Sequence, residues 1–431
     1  MKYQAPRGVK DLLPPESETF RLLEEEISAL FALSGFREVR LPIFESAALF
    51  SRSIGESTDI VEKEMYLFEG KGGERLALRP EGTASLLRAA IEHRLAEPGR
   101  TTRLSYQGPM FRHERPQAGR LRQFHQAGAE ILGTNDPDTD ADLIAMVSRY
   151  AEKTRIPGST LLINSMGCEA CRPAYRTRLV AYLEDHKNTL CETCLRRTAT
   201  NPLRVLDCKV EGCQAVLEAA PPLTEFLCAS SREHFDSVCR GLADQSIPYT
   251  LSHRLVRGLD YYTETAFEWV SDALGSQSTW AAGGRYNGLV SSLGGPDIPG
   301  VGLAIGIERL HLLREKAATL PLPTDPPVMI ALHPLDEASR GYIHRILSSL
   351  REENISAVGL FGQSRLKKAF VSAEREKARY IGLAGEDERE SNTLTIKDLA
   401  TGVQKTVPAF PAASLADLLR TGWGTGWGAE S

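Results

Sequence analysis

An arginine-rich segment at residues 108–126 has the residue types that bind phosphate. Four arginines lie within eleven residues of it, and a Pro/Gly turn separates two stretches with the character of strands. A hairpin of this kind places Arg112 and Glu114 on one strand and Phe124 on the returning strand. Guanidinium groups bind phosphate through paired hydrogen bonds, and an aromatic face stacks on a base. The segment alone fits a nucleotide site and a solvated basic hairpin equally well.

Two further segments combine tyrosine with aspartate or glycine. Residues 257–262 have the sequence RGLDYY, and residues 282–286 have the sequence AGGRY. Tyrosine hydroxyls beside a carboxylate and glycine turns suit a small polar ligand that lies close to the backbone. Tyrosines packed in a core or an interface are the alternative.

A glycine-spaced stretch at residues 300–306 leads into Glu308 and Arg309. Small residues allow another group to approach the backbone closely, and the arginine stands at a predicted strand-to-helix junction. Simple close packing is the alternative explanation. The sequence has no GxxxxGK[ST] phosphate loop, no HExxH metal helix and no GxSxG nucleophile elbow. A nucleotide would therefore be bound by other means.

All eight cysteines lie in one part of the chain, at residues 168–239. Two CxxC pairs separated by 19 residues match the spacing of a zinc ribbon, in which each pair offers two thiolates to one tetrahedral ion. The pairs are Cys168/Cys171 and Cys191/Cys194. Such an ion would be structural and would stiffen one segment. Reduced, partly buried cysteines without metal are the alternative, and the sequence leaves both open.

The composition is that of a globular protein, with 42% hydrophobic and 25% charged residues. Its 431 residues predict about three domains. The formal net charge of −5 excludes a globally basic nucleic-acid coat, so any nucleic acid must meet local basic patches. Because the sequence shows neither a membrane-length apolar run nor the apolar core of a signal peptide, we expect a cytoplasmic protein.

Residues 1–320 are predicted to form an α+β domain whose mostly antiparallel sheet is flanked by helices. Apolar residues three or four apart predict a helix that begins after Pro15 and ends at Gly35. Residues 138–150 predict another helix. The predicted strands lie at residues 65–68, 75–79, 103–110, 124–132 and 266–270. Residues 166–252 are helical in pattern, polar and rich in cysteine, and we interpret them as an insertion.

The remaining chain has a different organisation. Residues 321–327 are a proline-rich linker by composition. Alternating strand and helix patterns over residues 328–420 predict a compact α/β domain. Residues 421–431 form a glycine-rich tail that we expect to be flexible.

Together these segments resemble the motifs of class II aminoacyl-tRNA synthetases, and within that class those of the histidyl-tRNA synthetase family. The resemblance runs from residue 7 to about residue 399. Ala304 departs from the class, which often has glycine at this position. The segments that match the three class motifs are residues 35–42, 111–124 and 302–309, and those that match the histidine-specific signatures are residues 255–262 and 282–286.

The resemblance implies a class II synthetase catalytic domain, an anticodon-binding domain at residues 328–420, and the activity of a histidine–tRNA ligase. In the family, the carboxylate of L-histidine attacks the α-phosphorus of ATP, bound with Mg²⁺, to give histidyl-adenylate and pyrophosphate. The terminal adenosine of the tRNA then takes the histidyl group and AMP is released. The resemblance also implies a homodimer that pairs through residues 36–42.

The resemblance assigns the ATP site residue by residue. Arg112 would hold the α-phosphate and Arg309 the γ-phosphate, with the adenine between Phe124 and the Arg309 side chain. Glu114 would contact the adenine amino group, and Arg120 the outer phosphates. Arg257 matches the residue that members of the family place on the α-phosphate, where it partly replaces a metal ion. Arg257 and Arg112 are therefore the expected catalytic residues.

The histidine site is assigned in the same way. Glu130 and Tyr262 would contact the imidazole ring, and Glu81, Thr83 and Gln126 would hold the α-ammonium group. A pocket that pairs both ring nitrogens rejects apolar competitors, because they would leave its buried polar groups unpaired. The complete expected set is Glu81, Gly82, Thr83, Arg112, Gln126, Glu130, Arg257, Tyr261, Tyr262 and Tyr286.

Basic residues are concentrated at residues 364–379 of the C-terminal domain. Lys367 and Lys368 are the candidates for contact with the phosphates of tRNA. A solvated helix face explains such a run equally well.

Two other functions compete with a synthetase. One is the synthetase-like regulatory subunit of ATP phosphoribosyltransferase, which shares the catalytic fold but generally lacks the anticodon domain. This sequence keeps a C-terminal domain, and Arg112, Glu114, Arg257 and Arg309 are in place. The other is a zinc-ribbon nucleic-acid adaptor, which accounts only for the cysteine-bearing segment.

Overall fold

The computed structural model describes residues 3–55, 58, 60–117, 119–256, 259–275, 278–322, 328–362 and 365–422. The chain divides into two compact units, Met1–Pro321 and Leu322–Ser431. Among the described residues, no helix has the length and apolar character that a membrane span requires.

The first unit contains ten α-helices and eleven strands within the residues described. Its helices are α1 (Glu16–Leu33), α2 (Ala47–Ile54), α3 (Thr83–Glu92), α4 (Pro137–Lys153), α5 (Arg172–Asp185), α6 (Glu192–Thr200), α7 (Glu211–Leu217), α8 (Ala229–Asp244), α9 (Leu289–Ser292) and α10 (Ile307–Lys316). Its strands are β1 (Arg37–Glu38), β2 (Phe44–Ser46), β3 (Leu67–Glu69), β4 (Arg75–Leu78), β5 (Thr102–Phe111), β6 (Gln123–Leu132), β7 (Ser159–Ser165), β8 (Thr250–Leu251), β9 (Thr263–Ser271), β10 (Thr279–Arg285) and β11 (Gly300–Gly306).

Eight of these strands form the main sheet, in the order β1-β5-β6-β11-β10-β9-β7-β8. Neighbouring strands are antiparallel except at the two edges, where β1 pairs with β5 and β8 pairs with β7 in parallel. The predicted antiparallel α+β fold is therefore confirmed. The sequence patterns predicted neither β7 nor β10. The two glycines of β10 look like a turn in sequence, yet they lie within a strand paired on both sides.

The central strands have one apolar face and one face with polar and small residues. Side chains alternate along a strand, so Ala127, Ala129 and Ile131 of β6 all enter the main core. The opposite face carries polar side chains on β6 beside small residues on β11. The register pairs Gln126 with Gly306, Gly128 with Ala304 and Glu130 with Gly302. The sheet thus provides a floor on which a ligand can lie close to the backbone.

Helix α1 closes the core side of the sheet. Its buried apolar residues are Phe20, Leu23, Ile27 and Phe31, which are spaced three or four apart as the sequence pattern requires. Gly35 follows the helix with φ of +80°, a left-handed conformation that glycine adopts readily, and this ends α1 where predicted.

Residues 166–252 carry α5 to α8, as the helical pattern predicts. Their apolar side chains, among them Tyr175 and Leu179, belong to the same core as the main sheet. Helix α8 packs against α4, and β8 at the end of the segment pairs with β7 of the sheet. The segment therefore shares the core of the main sheet and joins that sheet at its C-terminal end.

The second unit is an α/β domain with a five-stranded sheet. Its elements are β12 (Val328–Pro334), α11 (Arg340–Glu352), β13 (Ala357–Gly359), α12 (Leu366–Arg375), β14 (Ala378–Ala384), α13 (Glu386–Ser391), β15 (Thr393–Asp398), β16 (Gln404–Pro408) and α14 (Ala412–Thr421). The strand order is β13-β12-β14-β15-β16, parallel over the first three and antiparallel over the last three. Residues 323–327 of the predicted linker and 423–431 of the predicted tail lie outside the described residues.

Candidate active site

A cavity of about 280 Å³ lies between the β5–β6 hairpin, the floor strands and the start of α10. Arg112 and Phe124 from the hairpin line it together with Arg309 from α10. Glu114, Arg120 and Gln126 also line it. Every residue expected at the ATP site, apart from Arg257, therefore borders one cavity. Arg257 lies outside the described residues.

The position of Arg112 is fixed by its neighbours. Its Nε donates to the carbonyl oxygen of Pro80 at 2.9 Å, and its guanidinium carbon lies 5.2 Å from the centre of the Phe124 ring. The Glu114 carboxylate lies 3.8 Å from the Nη1 atom of Arg112 and also contacts Arg120. A guanidinium held in this way meets a phosphate with little loss of side-chain entropy.

Arg309 joins the hairpin turn to β10. Its Nε donates to the carbonyl oxygen of Gly119 at 3.0 Å, and its Nη1 donates to the carbonyl oxygen of Thr279. Burial lowers the pKa of Arg309 to about 10, and the positive charges of Arg120 and Arg112 act in the same direction. Three guanidinium groups, those of Arg112, Arg120 and Arg309, therefore line one cavity, and the three carboxylates of Glu114, Glu268 and Glu308 line it with them.

Two functional candidates in the cavity have no place among the residues predicted from the sequence. Glu268 of β9 lies opposite Ala282 in the sheet register, faces the cavity and accepts a hydrogen bond from the Thr279 hydroxyl at 3.2 Å. Glu308 accepts hydrogen bonds from the backbone N–H of His125 at 2.9 Å and contacts its ring. The alternation of β9 is the signal that identifies Glu268. Glu308 fixes α10 to β6.

The Glu130 carboxyl group is the centre of a buried polar cluster. The Thr83 hydroxyl donates to its Oε1 and the Tyr286 hydroxyl to its Oε2, both at 2.6 Å. Burial raises the pKa of Glu130 to about 8, although both hydrogen bonds favour the charged form. A buried carboxyl group with two donors and an elevated pKa suits recognition of a polar, protonatable ligand.

The space around Glu130 depends on glycine. A Cβ atom at Gly302 would overlap the Glu130 carboxylate oxygen, and one at Gly128 would overlap the Tyr106 ring. Larger residues at either position would therefore displace the cluster. Gln126, two residues before Gly128, has a buried Oε1 with no hydrogen-bond partner in the part of the chain that the structure describes. This acceptor is available to a ligand donor.

Glu81 positions the start of α3 beside the same cluster. Its carboxylate accepts hydrogen bonds from the backbone N–H of Thr83 at 2.6 Å and from that of Ala84 at 2.9 Å. Burial raises the pKa of Glu81, while these two backbone hydrogen bonds oppose the rise. Gly82 lies against the ring of Tyr106, so only glycine fits there. The three expected residues Glu81, Gly82 and Thr83 thus form one helix start.

Three tyrosines form a wall of the Glu130 cluster. The ring centres of Tyr261 and Tyr262 are 4.7 Å apart, and those of Tyr261 and Tyr286 are 5.9 Å apart. Burial raises the pKa of Tyr261 and Tyr286 well above the ordinary value, so both hydroxyls stay protonated. The structure therefore brings together the described members of the histidine set.

The cysteines are not grouped in the way that the spacing of the two CxxC pairs suggests. Of the two alternatives that the sequence left open, one ion shared by the two CxxC pairs is excluded, because each pair lies in a different cluster. One cluster contains Cys168, Cys171 and Cys228, and the other contains Cys191, Cys194, Cys208 and Cys213. Sequence spacing alone favoured the nearest CxxC repeat, whereas the fold brings in cysteines outside such pairs.

Comparison with known proteins gives a consistent result over both units. The model of the histidyl-tRNA synthetase family matches residues 8–310, and that of the anticodon binding domain matches residues 328–415. The chain is 46% identical to the histidine–tRNA ligase of Trichlorobacter lovleyi, over 96% of this chain and 98% of that protein. It is 45% identical to that of Syntrophotalea carbinolica, over 93% and 95% of the two chains.

A solved structure agrees with these sequence matches. The apo histidyl-tRNA synthetase of S. aureus superposes with a TM-score of 0.78 at 34% identity, over 97% of this chain and 99% of that chain. The motifs, the fold and the relatives agree, and the chain belongs to the histidyl-tRNA synthetase family, whose members charge tRNA-His through a histidyl-adenylate.

Proposed function

We propose that the cavity bordered by Arg112 and Arg309 binds ATP, and that the Glu130 cluster binds the side chain of L-histidine. The observation that carries this proposal is the common sheet face. Gln126 borders the cavity, and Glu130 lies two alternations further along the same face of β6. A triphosphate and an amino acid would therefore meet above Gln126 and Gly128.

The ATP contacts follow from charge and shape. Arg112 holds the α-phosphate and Arg309 the γ-phosphate, with Arg120 on the outer phosphates. The adenine lies between Phe124 and the Arg309 side chain. The carboxylate of Glu114, a residue that is only 7% exposed, accepts a hydrogen bond from the adenine amino group. The lowered pKa of Arg309 supports this assignment, because a triphosphate relieves the repulsion among the three guanidinium groups.

Activation is an in-line displacement at phosphorus. A carboxylate oxygen of histidine bonds to the α-phosphorus as the bond to the pyrophosphate oxygen breaks. Negative charge builds on the phosphoryl oxygens, and the fixed Arg112 guanidinium stabilises it without reorganising. We assign the same role to Arg257 on its sequence motif. The terminal adenosine hydroxyl of tRNA then attacks the histidyl carbonyl carbon, and AMP leaves.

The residues of the cavity also fit Mg²⁺ bound with ATP. Glu268 is a carboxylate on the cavity wall, the donor type that Mg²⁺ prefers, and it would hold the ion beside the phosphates. The ion supplies charge neutralisation to the phosphate oxygens.

Histidine is selected by paired polar groups. Glu130 accepts an imidazole N–H, and Tyr262 completes the contacts to the ring. Glu81, Thr83 and the free acceptor of Gln126 hold the α-ammonium group. Tyr261 and Tyr286 close the wall. Burial makes this selective, because an apolar side chain would leave the Glu130 carboxyl group without its ligand partner.

A homodimer is the proposed assembly. Strand β1, at residues 37–38, is an outer strand of the main sheet and is exposed. Phe44, Leu67 and Phe68 of the small β2–β4–β3 sheet are between 42% and 53% exposed. An open strand edge and nearby apolar side chains suit pairing with a second copy. Light scattering at micromolar concentration should give twice the chain mass, and a monomer would contradict the assembly.

The proposed domain roles follow the predicted boundaries. Residues 1–320 carry catalysis, and residues 328–420 bind the anticodon through a surface that includes Lys367 and Lys368. Both lysines are exposed on α12. None of the eight cysteines, all of which lie within the described residues, is in a disulfide, which supports work in the reducing cytoplasm.

Histidine-dependent ATP–pyrophosphate exchange on the purified protein tests the site. Arg257→Ala should slow exchange by about 10²-fold or more while histidine binding weakens only moderately, because the lost charge acts on the transition state. The unmodified protein provides the reference rate. Near-normal exchange in the variant would contradict the role of Arg257, and no exchange by the folded unmodified protein would reject the whole assignment.

A further inference from the structure

Four cysteine thiols converge between α5 and α8, in a part of the chain that the proposed reaction does not use. Their sulfur atoms all lie within 4.8 Å of one another. Cys194, Cys208 and Cys213 are buried, and Cys191 is partly buried. We call this group the four-cysteine cluster; its members are Cys191, Cys194, Cys208 and Cys213.

The spacing of the sulfur atoms suits a tetrahedral ion. Thiolates lie about 2.3 Å from Zn²⁺, so two of them on a tetrahedron are about 3.8 Å apart. The Sγ atoms of Cys191 and Cys208 are 3.9 Å apart, which is too long for a disulfide and close to that edge. Four sulfur ligands also complete the coordination of a structural zinc ion.

The backbone around the cluster favours negatively charged sulfur. Cys191 is the N-cap of α6 and Cys194 lies in its first turn, where the helix dipole is positive. The backbone N–H of Cys191 donates to the Sγ of Cys213 at 3.1 Å, and that of Val210 donates to the Sγ of Cys208 at 3.5 Å. Such donors stabilise thiolate ligands.

We propose that the four-cysteine cluster binds one Zn²⁺ ion. Each thiol gives its proton to solvent as its sulfur binds the ion, so the four thiolates and the ion carry a net charge of −2. The other cluster brings together three cysteines, with no fourth His, Cys, Asp or Glu ligand that close among the described residues. The zinc proposal is therefore made for the four-cysteine cluster alone, and it does not depend on the assignment of the active site.

The ion would close a loop that contacts the histidine-specific signature. The cluster brackets residues 195–207, where Asn201 and Arg204 lie. The Asn201 amide donates to the Asp260 carboxylate at 3.3 Å, and the Arg204 Nε donates to it at 3.2 Å. Asp260 immediately precedes Tyr261 and Tyr262. Zinc would thus hold the segment that supports these tyrosines from outside.

Metal analysis of the full-length protein tests the proposal. The protein is expressed with zinc in the medium, dialysed into metal-free buffer and measured by inductively coupled plasma mass spectrometry. Cys208→Ser should lower the zinc content by about one equivalent per chain, because a serine hydroxyl is a poor zinc ligand. Cys239→Ser is the matched control, since Cys239 is outside both clusters, and it should retain the zinc of the unmodified protein.

Cobalt substitution provides a readout that does not depend on a variant folding. The unmodified protein, loaded with Co²⁺, should show the intense thiolate-to-metal charge-transfer band and visible absorption of a tetrahedral thiolate site. Zinc lost in Cys208→Ser but retained in Cys239→Ser would support the site. Zinc-free unmodified protein, equal zinc in Cys208→Ser, or a weak octahedral cobalt spectrum would each overturn it.

Discussion

Two arginines of the first unit have opposite electrostatic surroundings. Arg285, at the end of β10, is fully buried, and its Nε lies 3.2 and 3.1 Å from the two carboxylate oxygens of Asp140. Arg309 is partly buried, and its hydrogen bonds go to backbone carbonyl groups while Arg112 and Arg120 repel it. The charge of the first arginine is balanced by a carboxylate of the protein itself, whereas the second borders the cavity that we propose as the ATP site.

The pKa shifts at the two sites show the same contrast. Burial opposes ionisation of Asp140, but His234 and Arg285 hold its pKa below the ordinary value. Around Arg309, the pKa of the guanidinium itself is lowered. A positive charge that its surroundings stabilise serves the fold, and one that they destabilise is available for binding. Although Arg285 is part of a histidine-specific signature, it therefore has a structural role.

The largest effect on activity is expected at Arg309. Arg309→Ala should lower histidine-dependent pyrophosphate exchange by about 10²–10³-fold, because the γ-phosphate loses a fixed positive charge. Its unfolding midpoint should change much less than that of Arg285→Ala. Exchange kinetics and denaturant unfolding of the same preparation measure both quantities. A variant that is fully active, or one that unfolds as readily as Arg285→Ala, would remove the contrast.

The next effect concerns stability. Arg285→Ala should destabilise the catalytic unit by about 3–5 kcal/mol, because the Asp140 carboxylate remains buried without its main partner. Urea denaturation followed by tryptophan fluorescence measures this loss, since Trp269 and Trp280 are buried in the same sheet. Asp140→Asn is the companion variant and should also be less stable. A loss below about 1 kcal/mol would show that the pair contributes little to the fold.

The buried Glu130 carboxyl group also has surroundings that oppose its charge, and the pH dependence of the unfolding free energy measures this opposition. The pKa of Glu130 is about 8 in the folded chain and 4.5 without burial. Wild-type stability should therefore fall as pH rises from about 4.5 to 8, since the folded state holds the proton longer. Glu130→Gln should lack this loss. The unfolding free energy of the variant minus that of the unmodified protein should therefore be larger at pH 8.5 than at pH 6.

The same variant should lose function. Because glutamine cannot supply a carboxylate to the imidazole, exchange should fall by about 10–100-fold. Urea unfolding at the two pH values, with exchange assayed on the same samples, measures both changes. If the variant and the unmodified chain showed the same pH dependence of stability, Glu130 would not be a strained buried acid.

The smallest effect is expected for two solvent-exposed lysines. Replacement of Lys367 and Lys368 by alanine should weaken tRNA binding several-fold at moderate salt and flatten its salt dependence, because exposed lysines act through counterion release. Pyrophosphate exchange, which needs no tRNA, is the internal control and should not change. Equal losses in binding and exchange would argue against a role in tRNA contact.

Sequence patterns predicted much of this organisation because period and composition are local properties. The apolar spacing of α1 and the alternation of β6 predicted both elements, and the class motifs predicted the residues around the cavity. Strand β10 was missed, because its glycines have no apolar pattern and its pairing comes from distant strands. The Arg285–Asp140 pair joins residues 145 positions apart, so no local pattern reveals it.

The cysteines show a second limit. A CxxC pair indicates that two thiols are close, but the partner of that pair is set by tertiary packing. Cys208 and Cys213 carry no CxxC spacing. Cys208 lies in the segment between α6 and α7 and Cys213 lies in α7, and the fold of this region brings both to Cys191. Glu268 was missed for a related reason: its importance arises from its register opposite Ala282.

The close approach of Gly302 to Glu130 has an evolutionary consequence. A glycine codon becomes an alanine codon by a single nucleotide change, and the added methyl group would push the carboxyl group away from the hydroxyls that orient it. Under the proposed role of Glu130 in histidine recognition, discrimination among amino acids depends on the absence of a side chain at Gly302 as much as on the groups that are present. We therefore expect even the most conservative point mutation at this position to impair the decoding of histidine codons.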